Sequence, residues 1–459
     1  MDLLKLRSNI VLIIIASYLV LNSGFMLLRL PPSGSFGIPI AELLIAAFLA
    51  TLIFEVRHIK AFATVAPLTF LLIWWGHGGV QAVKGLQQHS IWALRDASHM
   101  IDSLFIWIGF VVASVPGFLD RFSHALRLML IIGAIYMLGY PFRDQLAALS
   151  PTITAPAGYS APILFNYTGG SIVPMTAAVQ ILLDRTRLFF IPSVVVAGGI
   201  IAFAVVLLQQ RSTYLQLIAL FFVLAFIRPR DVMRLSFGMV LAALALVLIL
   251  STGIEITGRL GEKFSLDFLV NHFAAIWGEK SGGAIDSAAS GVGQRLAWWT
   301  KIWEDVTVGA RTLTFGLGYG IPLTDFSDVS GTQVREPHNS TISTFARLGL
   351  IGIISLFAIQ AFLAREWFRL YKFLRRRGDQ VWANNLLIMA AFFISVWVYS
   401  IGEDAFEKPF SAVPYYFFWG VILRAAYVAR LAQAQEPRTT IHHQDDRAPL
   451  GQQLAPNTS

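Results

Sequence analysis

Apolar runs long enough to cross a bilayer succeed one another along this chain and leave few folds open to it. A hydrocarbon core takes about 20 apolar residues as one helix, and shorter runs are tolerated inside a bundle. Twelve runs answer to this: residues 9–28, 38–54, 62–75, 100–116, 126–140, 171–183, 188–208, 214–228, 235–252, 341–363, 381–401 and 411–429. Backbone N–H and C=O groups cannot stay unpaired in lipid, so runs of this kind fold as helices. The expected fold class is all-α, a polytopic membrane helical bundle of about twelve transmembrane helices. Only 14% of the 459 residues are charged, against about 25% in a soluble domain. The first run follows Lys5 and Arg7 with no clear cleavage site after it, so it reads as a span and not as a removed signal. No cysteine is present, which excludes disulfides, thiolate nucleophiles and Fe–S clusters.

The basic residues orient the bundle. One side of the runs receives Lys5/Arg7, Arg57/Lys60, Arg121/Arg127, Arg185/Arg187, Arg228/Arg230/Arg234 and the cluster from Arg365 to Arg377. The other side holds mostly single ones: Arg29, Arg143, Arg211 and Lys408. By the positive-inside rule both termini are cytoplasmic. The division is then 1–252 with nine helices, a large periplasmic loop over 253–340 with short helices, 341–429 with three helices, and a disordered polar tail over 430–459. The net charge of +8 is scattered beside apolar runs, so it signals topology and no nucleic acid is expected as a partner.

Three features of the outer face could carry chemistry. Gln294 to Val306 has apolar residues at 296, 299, 302, 303 and 306, one face of a helix. Its three tryptophans suit a membrane interface, and Arg295 stands at its start. The bland reading is a packing helix with a solvated arginine. Arg211 lies between two apolar runs, so it sits at the outer interface or lines a wet cavity; the bland reading is an arginine snorkelling to lipid phosphates. Pro337-His338-Asn339-Ser340 opens a further span, with Asn339 or Ser340 as cap and Gly349 and Gly352 permitting close helix contact. The helix dipole there should lower the His338 pKa and leave the imidazole neutral, competent as a base. A surface histidine without a role is the bland alternative.

Gly316-Leu317-Gly318-Tyr319-Gly320 is not a dinucleotide loop, because no strand precedes it and Pro322 follows. It reads as a flexible turn. Two arginines and a histidine on one face suit a lipid-linked diphosphate and an attacking hydroxyl, since guanidinium forks bind phosphate oxygens. Fixed cations can stabilise a departing diphosphate without a metal. No Asp-x-Asp or His-rich cluster stands out, and Asp325 and Asp328 read as solvated loop acids, so no metal or cofactor is expected.

These residues resemble the O-antigen ligase and polymerase superfamily: His338-Asn339-Ser340-Thr341 leading into Leu348-Gly349-Leu350-Ile351-Gly352, the glycine turn at 316–320, the Gln-Arg-Ser-Thr tract at 210–213, and Arg295 ahead of Trp298 and Trp299. The resemblance implies a bundle of the GT-C type and a metal-independent inverting glycosyltransferase at the periplasmic face of the inner membrane. The donor would be a glycan on undecaprenyl diphosphate. His338 would be the general base, and Arg211 and Arg295 would hold the diphosphate. Arg95 is added from the first large outer loop, with Arg143 and Arg335 as substitutes should the loop fold otherwise. A ligase acting on lipid A–core is the leading expectation, with a polymerase extending a lipid-linked chain as the alternative. Ala346-Arg347-Leu348 stands where an acidic residue is expected in relatives that glycosylate protein, which weighs against a protein acceptor. A polysaccharide or lipid transporter would need charges within several spans; Glu42 and Asp102 fall near outer ends instead. An assembly protein would be indifferent to His338→Ala.

Overall fold

A computed structural model describes residues 3–30, 38–51, 56–154, 160–167, 170–185, 190–253, 265, 267–268, 270–271, 284–325 and 334–435. The expected tail beyond 435, Arg187, Asp328 and the loop stretches 254–264, 272–283 and 326–333 lie outside them. The protein is mostly helical. Its principal helices are α1 (Leu3–Leu21), α2 (Ile40–Ala50), α3 (Val56–Ala63), α4 (Leu68–His89), α5 (Trp92–Asp96), α6 (Ser98–Asp102), α7 (Phe105–Val112), α8 (Phe118–Met137), α9 (Ile172–Asp184), α10 (Ser193–Leu208), α11 (Arg211–Ile227), α12 (Pro229–Ser251), α13 (Ala284–Thr307), α14 (Ala310–Phe315), α15 (Ser340–Arg376), α16 (Gln380–Gly402) and α17 (Pro409–Gln435). The only strands among the described residues are two small antiparallel ribbons, Arg29–Leu30 with Ile38–Pro39 and Thr152–Thr154 with Ser160–Pro162.

Four helices are long and apolar enough to cross a membrane, α12, α15, α16 and α17, or up to six if two bent pairs each make one span. Five of the expected runs correspond to shorter apolar helices: α2, the α6–α7 pair, α9, α10 and α11. The run at 62–75 differs most from expectation. Pro67 lacks an N–H and crowds the preceding turn, so α3 ends at Ala63 and α4 leaves at 116° to it. Helix α4 then continues to His89, well past the expected end of that run at residue 75.

Helix α17 is the centre of the bundle and α12 its rim. Gly109 of α7 and Gly420 of α17 let these two backbones touch: a Cβ on Gly109 would lie 2.4 Å from Phe417 O, and one on Gly420 2.2 Å from Ile106 O. Small residues at such a crossing allow the close packing on which helix association in lipid depends. Helix α12 instead turns Phe237, Val240, Leu244 and Leu248 outward, each more than half exposed, as lipid-facing side chains would be.

Side-chain contacts sort the helix ends into two groups. At one end Arg127 binds Asp184 (2.7 Å) and Asn385 (2.6 Å), Arg228 reaches Tyr371 and Asn384 (both 3.2 Å), and Arg430 pairs with Glu366. At the other end Gln216 donates to Ser171 Oγ (3.0 Å), Trp299 to Pro337 O (2.9 Å) and Asn339 to Ile401 O (3.0 Å). The basic clusters share the first end; Arg211, Arg295 and His338 share the second. Asp102, expected near an outer end, is fully buried.

Candidate active site

His338 is held in a left-handed conformation (φ 53°) between Pro337 and the start of α15. For a non-glycine residue that costs of order 1 kcal/mol or more and persists only where the surroundings enforce it. Here they do. Asn339 caps α15, its Oδ1 accepting from Thr341 N and Ile342 N at 3.0 Å each. Ser340, the other candidate cap, instead donates to Glu407 and accepts from Phe406 N (3.1 Å). Trp299 of α13 holds the Pro337 carbonyl (2.9 Å), and Trp298 lies beside the imidazole, ring centres 6.1 Å apart. Helix α13 therefore docks on protein: Trp298, Ile302 and Val306 are buried, the last two against Phe345 and Ala346, while Leu296 and Trp303 of the expected face stay more than half exposed.

The connection between α16 and α17 completes the site. His338 Nδ1 donates to Asp404 Oδ1 at 2.7 Å and lies 3.4 Å from Glu403 Oε2. Lys408 stands 3.5 Å from Asp404 and 3.6 Å from Glu403. Arg295 reaches the other oxygen of Glu403 at 3.5 Å. Sequence reasoning missed Glu403 and Asp404 and counted Lys408 only as a topology signal. A clue was present, since three acids and a lysine crowd Glu403 to Lys408 on the side of the membrane assigned to His338.

This setting overturns the expected protonation of His338. Burial alone would lower its pKa, in the direction expected from the helix dipole. The hydrogen bonds and charges of Asp404 and Glu403 outweigh that and raise it to about 9. The resting imidazole is thus an imidazolium near pH 7. Burial raises the two carboxyls, but Lys408 and His338 hold Asp404 far below the usual carboxylate range, and His338 and Lys408 lower Glu403 as well.

Arg211 is the first residue of α11 and lies close enough to Arg295 for their charges to repel. Glu403 thereby links His338 to Arg295, and Arg211 lies near Arg295. Counting His338, Lys408, Arg211 and Arg295 against Glu403 and Asp404 gives four cations to two anions. The site carries an excess of two positive charges and suits a dianion. The imidazole and carboxylate donor atoms of His338, Glu403 and Asp404 lie within 4.8 Å of one another, a spacing that could hold a metal ion. Lys408 and Arg295 already neutralise those carboxylates, so a dication there would meet three fixed positive charges.

Residues 196–357 match the family model described as O-antigen ligase. Over that stretch the chain is similar to the O-antigen ligase family. No curated protein matches the chain. The matched segment supplies His338, Arg211 and Arg295, whereas Glu403, Asp404 and Lys408 come from beyond its end.

Within the matched segment, the glycine turn supports the site from behind. Helix α15 breaks at Gly349 (φ 60°), freeing the carbonyls of Ala346 and Arg347, which accept from Leu317 N (2.7 Å) and Gly318 N (3.1 Å). Gly349 permits the close helix contact expected of it, against the end of α14 and the turn that follows: a Cβ there would lie 2.6 Å from Thr314 O and Gly316 N. Arg347, fully buried, pairs with Glu336 (2.9 Å) and Asp96 (3.0 Å), and Arg335 also binds Asp96 (2.7 Å) and stacks on Trp92. Arg335 is thus committed to the scaffold and is not a substitute phosphate ligand. Arg143 bonds Tyr140 and lies 3.7 Å from Asp144, away from His338. Arg95 lies over Trp92, within electrostatic reach of Asp404, with no direct bond to the cluster around His338 among the described contacts.

Proposed function

We propose that this protein is a glycosyltransferase that moves a glycan from undecaprenyl diphosphate to an acceptor hydroxyl at the periplasmic face of the inner membrane. The observation that carries the reading is the excess of positive charge at the site, in which Arg211, Arg295, Lys408 and the resting His338 imidazolium outnumber Glu403 and Asp404, and which suits a diphosphate. In the transfer, the acceptor oxygen forms a bond to the anomeric carbon as the bond to the diphosphate breaks on the opposite face, with inversion. The acceptor proton passes to His338 Nε2, whose Nδ1–H stays on Asp404. Arg211 and Arg295 hold the departing diphosphate, with Arg95 as an outer contributor, and take the place of a divalent metal.

A base with a pKa of about 9 is neutral in about 1% of molecules at pH 7 but is a correspondingly stronger proton acceptor. The base role therefore predicts kcat/KM rising with pH to a plateau above about 9. The raised pKa also favours a second reading, in which the imidazolium donates to the leaving phosphate. That reading predicts a fall over the same range.

The family description supports the ligase reading, for which lipid A–core is the proposed acceptor. Purified protein, undecaprenyl-diphosphate glycan and EDTA should give product with lipid A–core as acceptor. Elongation of the lipid-linked glycan alone would make it a polymerase, and an absolute need for Mg²⁺ would defeat the arginine-based scheme.

A further inference from the structure

The turn between α10 and α11 holds polar atoms that the proposed transfer does not use. Gln209 ends α10 in a left-handed conformation (φ 46°), and Gln210 precedes α11 in an extended one, with no side-chain bond capping the helix. Thr213, third in α11, is fully buried, and its Oγ1 has no hydrogen-bond partner among the described residues. The same holds for Oε1 of Gln210 and for Oε1 of Gln216, whose amide nitrogen is held by Ser171. Side chains on a helix tilt toward its amino end, so Thr213 and Gln216 lean toward the turn that carries Arg211. A buried hydroxyl without a partner is destabilising, and one kept in a folded protein calls for a ligand or another cause. The amino end of a helix with an arginine at its first position is suited to an anion.

We propose that Thr213 completes a cradle for the diphosphate group at the amino end of α11, beside Arg211. The inference rests on the donor reading above and extends its ligand set into the bundle. The Thr213 hydroxyl donates to a phosphate oxygen, and Arg211 supplies the charge. The shared chemistry is a diphosphate, which reaches the site either on a polyprenyl lipid or free.

The test is binding to the full-length protein in detergent, with undecaprenyl diphosphate and inorganic pyrophosphate as separate probes. Thr213→Val keeps the shape and removes only the hydroxyl. Its melting temperature without ligand should equal or exceed wild type, because that hydroxyl has no partner to lose. Its affinity for undecaprenyl diphosphate should fall roughly tenfold, ~1.4 kcal/mol, while Thr213→Ser stays within about twofold of wild type. A parallel loss with pyrophosphate would place recognition in the head group alone; a loss confined to the lipid would mean that the polyprenyl chain seats it. Equal affinity of Thr213→Val and wild type for both probes overturns the cradle. If Arg211→Ala then still loses binding, the donor reading survives without it; failure of wild type to bind either probe would sink both.

Discussion

Replacing Asp404 with asparagine removes the charge that most strongly sets the state of His338. The carboxylate is buried and 2.7 Å from Nδ1, whereas Glu403 stands farther off at 3.4 Å. Together they outweigh burial and raise the imidazole from 6.5 to about 9, on the order of 3 kcal/mol in favour of the imidazolium. Asp404 makes the shorter contact, so it should carry more than half of that, and Asp404→Asn should lower the pKa by roughly one to two units. The assay is kcat/KM for glycan transfer against pH, which reports the free enzyme's ionisations. Wild type should climb through a midpoint near pH 9; the variant should reach its midpoint at least about one pH unit lower. Its plateau should lie about 100-fold or more below wild type, because a weaker, less well oriented base remains. An unmoved midpoint would refute the argument that Asp404 governs the histidine.

Other consequences follow from the same contacts. The folded-state pKa of His338 lies above its ordinary value, so its stabilising contribution is full below pH 6.5 and lost as pH rises through about 9. Melting temperature in detergent should therefore decline over that window in wild type, and less steeply in Asp404→Asn. Arg347→Met leaves the buried Glu336 carboxylate without its ion pair and Asp96 with Arg335 alone; it should cost on the order of 3–5 kcal/mol, read as a large drop in melting temperature. Gly349→Ala puts a Cβ 2.6 Å from the backbone of the glycine turn in a left-handed conformation; it should destabilise the protein and depress transfer together. Arg295→Lys keeps the charge but loses the fork that spans two oxygens, so donor affinity should fall, by tenfold or more in a titration with undecaprenyl diphosphate.

What the sequence made legible was local. The Pro337–Ser340 junction, the Asn339 cap and the amphipathic α13 all follow from spacing and residue type, and the tract holding Arg211 was recognisable as a polar break between apolar runs. The carboxylates were not legible, because Glu403 and Asp404 arrive from the α16–α17 connection through tertiary packing. The same fact explains the reversed protonation of His338. A helix end is worth about 0.3–1 kcal/mol at an exposed site, whereas a hydrogen bond to a charged group is worth about 1.5–3 kcal/mol. The nearer carboxylate wins. The α15 break is likewise a tertiary matter: Gly349 departs from helix because the 316–320 turn packs against it and takes the freed carbonyls.

The central claim is that His338 performs proton transfer at a site whose arginines hold the diphosphate. Single-turnover transfer by His338→Ala, with donor affinity measured on the same sample, tests it directly. The account predicts a rate at least about 100-fold below wild type with undecaprenyl-diphosphate glycan still bound at near wild-type affinity. A rate within a few fold of wild type would contradict it.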